Sequence, residues 1–283
     1  MAHPPDVTNM ALFCDFENIA LGVRDAQYEK FDIGKVLERL LLKGSIVVKK
    51  AYCDWERYKG FKAPMHEASF ELIEIPHVRQ SGKNSADIRM VVDALDLCYT
   101  KSHVDTFVII SGDSDFSPLV SKLRENAKLV IGVGVKNSTS DLLIANCDEF
   151  IYYDDLVRDK KRPASRKAQA KPAGGDGKTA AKAAATDAAG SSPRKDDEER
   201  IQEAVELIAD TVEALVAERG DETIWGSMVK QALKRRKPGF NESYYGFRLF
   251  TGLLEEAARR GAVRLERDEK SANYRVRLPA GAS

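Results

Sequence analysis

The chain has 283 residues, 43% of them apolar and 31% charged, with 44 basic residues balanced by 44 acidic ones. Such a composition can fill one or two ordinary hydrophobic cores and excludes collagenous or wholly disordered classes. No stretch approaches the roughly 18 consecutive apolar residues that a membrane helix needs, and MAHPPDVTNM lacks the basic-then-apolar order of a secretory signal, so the chain reads as cytoplasmic.

From the N-terminus, short apolar runs alternate with helical patterns as a parallel sheet with crossover helices requires. Strands are predicted at residues 11–16, 45–52, 71–75, 107–111, 129–135 and 150–153. Helices are predicted at 33–42 behind an Asp32 cap, at 64–70 with Pro64 in the first turn, at 86–99, at 118–126 and at 142–145. The third of these carries Ile88, Val91, Val92 and Leu95 at helical spacing. The alternation predicts an α/β fold, a three-layer sandwich around a parallel sheet, over residues 1–157. Residues 158–196 are rich in Ala, Lys, Gly, Pro and Ser and offer no apolar seed for a core, so they read as a linker. Charge divides accordingly: 18 Lys+Arg against 24 Asp+Glu (net −6) in 1–157, 11 against 4 (net +7) in 158–196, and 15 against 16 (net −1) in 197–283. The basic linker either gathers polyanion by counterion release or merely stays solvated. In residues 197–283, helices predicted at 198–219, 224–236 and 243–260 precede short strands at 263–266 and 274–278, with Asn241 as cap and Gly261 as stop of the third helix. Three helices and a β-ribbon suggest a winged helix. Cys14, Cys53, Cys98 and Cys147 stand far apart and form no CxxC pair, so they read as reduced, mostly buried thiols.

Ligands of open parallel sheets collect outside the carboxyl ends of the strands, and three such places carry aspartate. ALFCDFEN ends a strand on Asp15 with Asn18 three residues on, FVIISGDSDF places Asp113 and Asp115 just past another, and KNSADIR puts Asp87 in the first turn of a helix. Singly, each is equally well a turn former or helix cap. Together, carboxylates this close repel one another unless a cation lies between them. Oxygen ligands without His or Cys suit Mg²⁺ or Mn²⁺, ions that can activate water against a phosphodiester, which makes this a candidate nuclease site. Lys83 reads either as a phosphate contact or as a solvated loop charge, and Asp141 either as a helix cap or as an extension of the cluster. Asp93 and Asp96, further along the helix, read as solvated or interhelical.

DFEN, KNSADIRMVVDAL, FVIISGDSDFSPLV and CDEFIYYDDL, in this order over residues 9–157, resemble the NYN domain, a PIN-like nuclease family, and in particular its LabA-related bacterial branch. The resemblance implies a Rossmann-like PIN fold and metal-dependent RNA hydrolysis. It implies Asp15, Asp87, Asp113 and Asp115 as metal-binding catalytic acids, with Asn18 and Ser111 as supporting polar groups. The C-terminal part, through WGSMVKQALKRRKPGFNESYYGFRLF, resembles the LOTUS or OST-HTH domain, which implies binding of RNA or of a protein partner. The basic run Lys234, Arg235, Arg236 and Lys237, beside Tyr244, Tyr245 and Phe247, fits that role, although cations also complement a helix C-terminus and aromatics also fill cores.

The leading expectation is a ribonuclease, endonucleolytic on single-stranded or structured RNA, with a C-terminal RNA-binding module. A non-catalytic RNA-binding adaptor is the alternative. A phosphohydrolase with Asp15 as nucleophile is weakened by the absence of an aspartate two residues later, where Glu17 stands. Dinucleotide chemistry is disfavoured because no G-x-G-x-x-G follows the first strand.

Overall fold

A computed structural model describes residues 8–75, 85–158, 193–219, 223–268 and 273–279. Lys83 and residues 159–192 of the expected linker lie outside the described residues. In chain order the first part comprises β1 (Asn9–Asp15), α1 (Phe16–Asp25), α2 (Ile33–Leu41), β2 (Ser45–Cys53), α3 (Lys59–Glu67), β3 (Glu71–Glu74), α4 (Ser85–Thr100) and β4 (Thr106–Ile110). It continues through α5 (Ser117–Glu125), β5 (Leu129–Gly134), α6 (Asp141–Asn146), β6 (Glu149–Tyr152) and α7 (Tyr153–Arg158). Then follow α8 (Pro193–Arg219), α9 (Gly226–Arg236), α10 (Phe250–Arg259) and the antiparallel pair β7 (Arg264–Arg267) and β8 (Tyr274–Arg277).

The six strands form one sheet in the order β3-β2-β1-β4-β5-β6, with every neighbouring pair parallel. Chain order runs outward from β1 in one direction and from β4 in the other, so the topology reverses between these two central strands. Both are apolar on both faces: Met10 to Cys14 and Phe107 to Ile110 are fully buried. Alternate residues feed separate cores. Met10, Leu12 and Cys14 pack with Phe16, Val36, Leu40 and Met65 from α1, α2 and α3 on one face. Ala11 and Phe13 pack with Met90, Ala94, Val120 and Leu143 from α4, α5 and α6 on the other. The expected α/β sandwich is therefore present, and the four cysteines are buried free thiols.

Three local expectations need correction. Phe16 does not extend the first strand but opens α1, an unpredicted helix whose buried Phe16, Ile19 and Val23 follow helical spacing directly behind the strand. Pro64 lies inside α3 rather than in its first turn. Proline cannot donate to the carbonyl four residues back; that carbonyl, on Gly60, accepts from Lys30 Nζ at 3.2 Å instead. The expected helix at 243–260 begins only at Phe250, because turns closed on Glu242 and Ser243 carbonyls and a positive φ of 89° at Gly246 occupy the preceding residues. Asn241 accordingly caps a turn, accepting from Ser243 N at 3.1 Å. Gly261, with φ 76°, ends α10 as expected.

The C-terminal helical region has its own core, with Ile208, Val212, Val229, Leu233, Leu253 and Val276 at its centre. It rests against the sheet edge. The Phe150 N–H of β6 donates to the Pro238 carbonyl at 2.8 Å, and Asn241 Nδ2 donates to Asp155 Oδ2 at 3.0 Å. Glu149 is held by Lys43 at 2.7 Å and Lys234 at 3.4 Å. Burial raises its carboxyl pKa, yet the two ammonium groups outweigh burial and hold it below the usual carboxylate range. Beneath this contact Gly132 of β5 lies flat under Phe150, where a Cβ would meet two ring carbons at 2.3 Å. Gly132→Ala should therefore destabilise the protein by about 1–3 kcal/mol, read as a lowered midpoint in thermal or urea denaturation.

Candidate active site

The site is built at the reversal between β1 and β4. Asp15, the last residue of β1, is 8% exposed and caps α1, accepting from Asn18 N at 3.4 Å. Its other oxygen accepts from Ser111 Oγ at 3.0 Å, just beyond the end of β4. Asn18 returns across the gap: its Oδ1 accepts from Gly112 N at 2.8 Å. Ser111 Oγ also accepts from Asp113 N at 3.2 Å, and Asp113 Oδ1 accepts from Asp115 N at 2.9 Å, capping a short 3₁₀ turn over Ser114–Phe116. Gly112 is required by close approach, since a Cβ there would meet the Ser138 carbonyl at 2.5 Å. Its own carbonyl accepts from Ser140 N at 2.9 Å, which fastens the β5–α6 loop beside the site.

Electrostatics joins Asp87 to this frame. Burial, then the charges of Asp87 and Asp113, push Asp15 up to about 7 against the hydrogen bonds from Ser111 and Asn18. Asp87, in the first turn of α4, is itself raised by burial and then by Asp113, Asp115 and Glu17. Asp15, Asp87 and Asp113 thus act on one another through their charges, and Asp115 acts on Asp87. Asp113 is half-buried and Asp115 exposed. Among the described residues no three acidic, His or Cys groups stand close enough together to chelate an ion. Mg²⁺ and Mn²⁺ retain several waters and take only one or two carboxylates directly, leaving positions for phosphate. A hydrated ion fits this donor set, in which burial and neighbouring carboxylates raise both Asp15 and Asp87.

The remaining candidates fall elsewhere. Asp141 stands in the first turn of α6, where Ser140 rather than Asp141 caps Leu142 N at 3.2 Å; it lines a cleft toward the C-terminal region and its charge acts on Tyr152. Arg235, Arg236 and Lys237 are exposed on that cleft, while Lys234 is engaged with Glu149. Arg236 also donates to the Asp210 carbonyl at 3.1 Å. Tyr244 carries the Lys136 ammonium 3.8 Å above its ring. Tyr245 is 8% exposed and stacks on Phe240 in the core, so its ring is not offered to a ligand. Asp93 accepts from Tyr52 and pairs with Arg89 and Lys50, a structural role. Glu17, which sequence reasoning passed over as a site residue, adds negative charge at Asp87 and pairs with Arg57 at 3.0 Å. Its signal was adjacency to Asp15, readable once α1 is recognised as a helix.

The parallel sheet with helices on both faces fits the α/β sandwich of the PIN-like nuclease superfamily, which includes the NYN domain family. The model of the NYN domain family matches residues 9–154, just over half of the chain, and the protein belongs to that family. An uncharacterized protein of Methanocaldococcus jannaschii is 25% identical over 138 residues, covering 46% of this chain and 54% of that one. The chain thus spans about half the length of this curated relative. Among solved structures, a protein of unknown function from Vibrio parahaemolyticus has a TM-score of 0.49 and 26% identity, covering 55% of this chain and 98% of that chain. No helix among the described residues is long and apolar enough to cross a membrane.

The raised Asp15 carboxyl has a stability consequence. Between about pH 4 and pH 7 the folded chain keeps a proton that the unfolded chain releases, so stability falls as pH rises through that window. In EDTA, Asp15→Asn should melt several degrees above the unsubstituted protein at about pH 8, and the difference should close toward about pH 4. Thermal denaturation across pH measures both limits.

Proposed function

We propose that the protein is a metal-dependent ribonuclease, cutting single-stranded or structured RNA endonucleolytically with Mg²⁺ or Mn²⁺ at Asp15, Asp87, Asp113 and Asp115. The observation that carries this reading is the burial of Asp15 at the β1/β4 reversal, in the field of Asp87 and Asp113. A carboxylate kept there against its own neighbours' charge calls for a cation and an anionic substrate that shares it. When bound, the ion would lower the pKa of a water and neutralise charge on the phosphate under attack.

The chain's own groups do the positioning. Ser111 Oγ and Asn18 N fix the Asp15 oxygens, and Asn18 Oδ1 holds the turn that carries Asp113. Residues 1–157 would form the catalytic domain and 197–283 a winged helix of LOTUS or OST-HTH type that raises the local RNA concentration, joined by the basic linker 158–196. Cytoplasmic RNA is the expected substrate pool.

A second reading, an RNA-binding adaptor without turnover, draws on the absence of a preformed three-ligand metal cluster among the described residues. One assay separates the two. Labelled single-stranded, hairpin and G-rich RNAs should be cut by the full chain with Mn²⁺ or Mg²⁺ and not with EDTA. Asp113→Asn combined with Asp115→Asn should lower cleavage by at least about a hundredfold while leaving the melting temperature within a few degrees. Undiminished cleavage by that variant would remove the site, and binding without metal-stimulated cleavage of any RNA would favour the adaptor.

A further inference from the structure

Between the β5–α6 loop and the C-terminal region lies a cleft of about 560 Å³, within the range of specific ligand sites. Four cations, Lys136, Arg235, Arg236 and Lys237, line it against two acids, Asp141 and Glu203. Its lining is contributed by both parts of the chain: Lys136, Asp141 and Tyr152 come from the sheet side, and the basic run, Pro238–Phe240 and Tyr244 from the other. The packing that shapes it is close, since Gly239 lies against Tyr152 so tightly that a Cβ would stand 2.8 Å from the phenol oxygen. The cleft is also one loop away from the acids. Residues 136–140, whose first residue lines the cleft, are tied back to the acidic turn by the Ser140 N–Gly112 O bond.

We propose that this cleft holds unpaired nucleotides of the RNA whose neighbouring phosphate lies at Asp15 and Asp113, so that the two parts of the chain form one continuous track for a single strand. The inference rests on the ribonuclease reading for the phosphate at the acids. The cations suit phosphates, and a cleft of about 560 Å³ admits a few unpaired nucleotides but not the width of a duplex, which selects single strands. Interactions made here, remote from the bond being broken, orient the strand over the acidic rim. A protein segment is the competing occupant, and the net positive lining together with adjacency to a phosphate-seeking site favours RNA.

The test measures binding separately from cleavage. In the full chain carrying Asp113→Asn and Asp115→Asn, fluorescence anisotropy with a labelled single-stranded RNA and with its duplex gives affinity as a function of salt. Adding Lys136→Ala and Lys237→Ala should weaken single-strand binding by roughly tenfold or more and flatten the salt slope by about 0.7 for each phosphate that is no longer neutralised. Lys59→Ala, on α3, serves as the control on a different element. Equal affinity and salt slope in the cleft variant and the Lys59 variant would overturn the proposal, as would tighter binding of duplex than of single strand. No RNA binding in the parent, leaving the cleft to a protein partner, would overturn it as well. Cleavage by the chain with intact acids, joined to unchanged binding in the cleft variant, would sink the track alone. Weakened binding in the cleft variant, with no cleavage by the chain with intact acids, would sink the nuclease reading alone.

Discussion

A single carboxylate sets the terms for the rest of the molecule: Asp15 is buried at the end of the central strand while Asp87 and Asp113 press their charge upon it. Burying an acid without a counter-charge is unfavourable, and only a scaffold with stability to spare elsewhere can hold it. The fully buried β1 and β4 provide that scaffold by packing apolar side chains on both faces. Ser111, Asn18 and the Gly112 turn then leave the carboxylate little rotational freedom. The hydrogen-bonded frame thus holds the carboxylate in place against its neighbours' charge, which the proposed cation site requires.

The same frame explains why the β5–α6 loop matters. Gly112 is held from two sides, since its N–H donates to Asn18 and its carbonyl accepts from Ser140. A displacement of the loop would therefore be felt at Asp113, and a displacement of the acidic turn at Lys136. This gives the sheet rim and the neighbouring cleft a common backbone, so a strand lying across them meets fixed partners along its course.

Much of this could be read from the amino acids, and the failures share a cause. β4 and β5 were legible because parallel strands buried on both faces appear as unbroken apolar runs, FVII and LVIGV. The mutual charge effect of Asp15, Asp87 and Asp113 was legible because each follows or opens an element on the carboxyl side of the sheet. Missed features depended on tertiary context. The helix α1 was absorbed into the strand before it, as Phe16 continues the apolar run although its side chain belongs to the core beside Trp55 and Phe61. Tyr245 looked like a stacking face because helical spacing cannot say which side of an aromatic pair is covered; Phe240 covers it. The late start of α10 follows from a positive φ at Gly246, a conformation that composition permits but does not announce.

One hydrogen bond at the margin of the sheet reaches beyond the site. As the outermost strand, β6 would offer Phe150's outward amide as a template for strands of other molecules. Pro238 occupies that amide, and a proline, lacking an amide hydrogen of its own, cannot pass the ladder onward. The Pro238 segment therefore ends the hydrogen-bond ladder at the β6 edge, while β3 forms the opposite edge of the sheet.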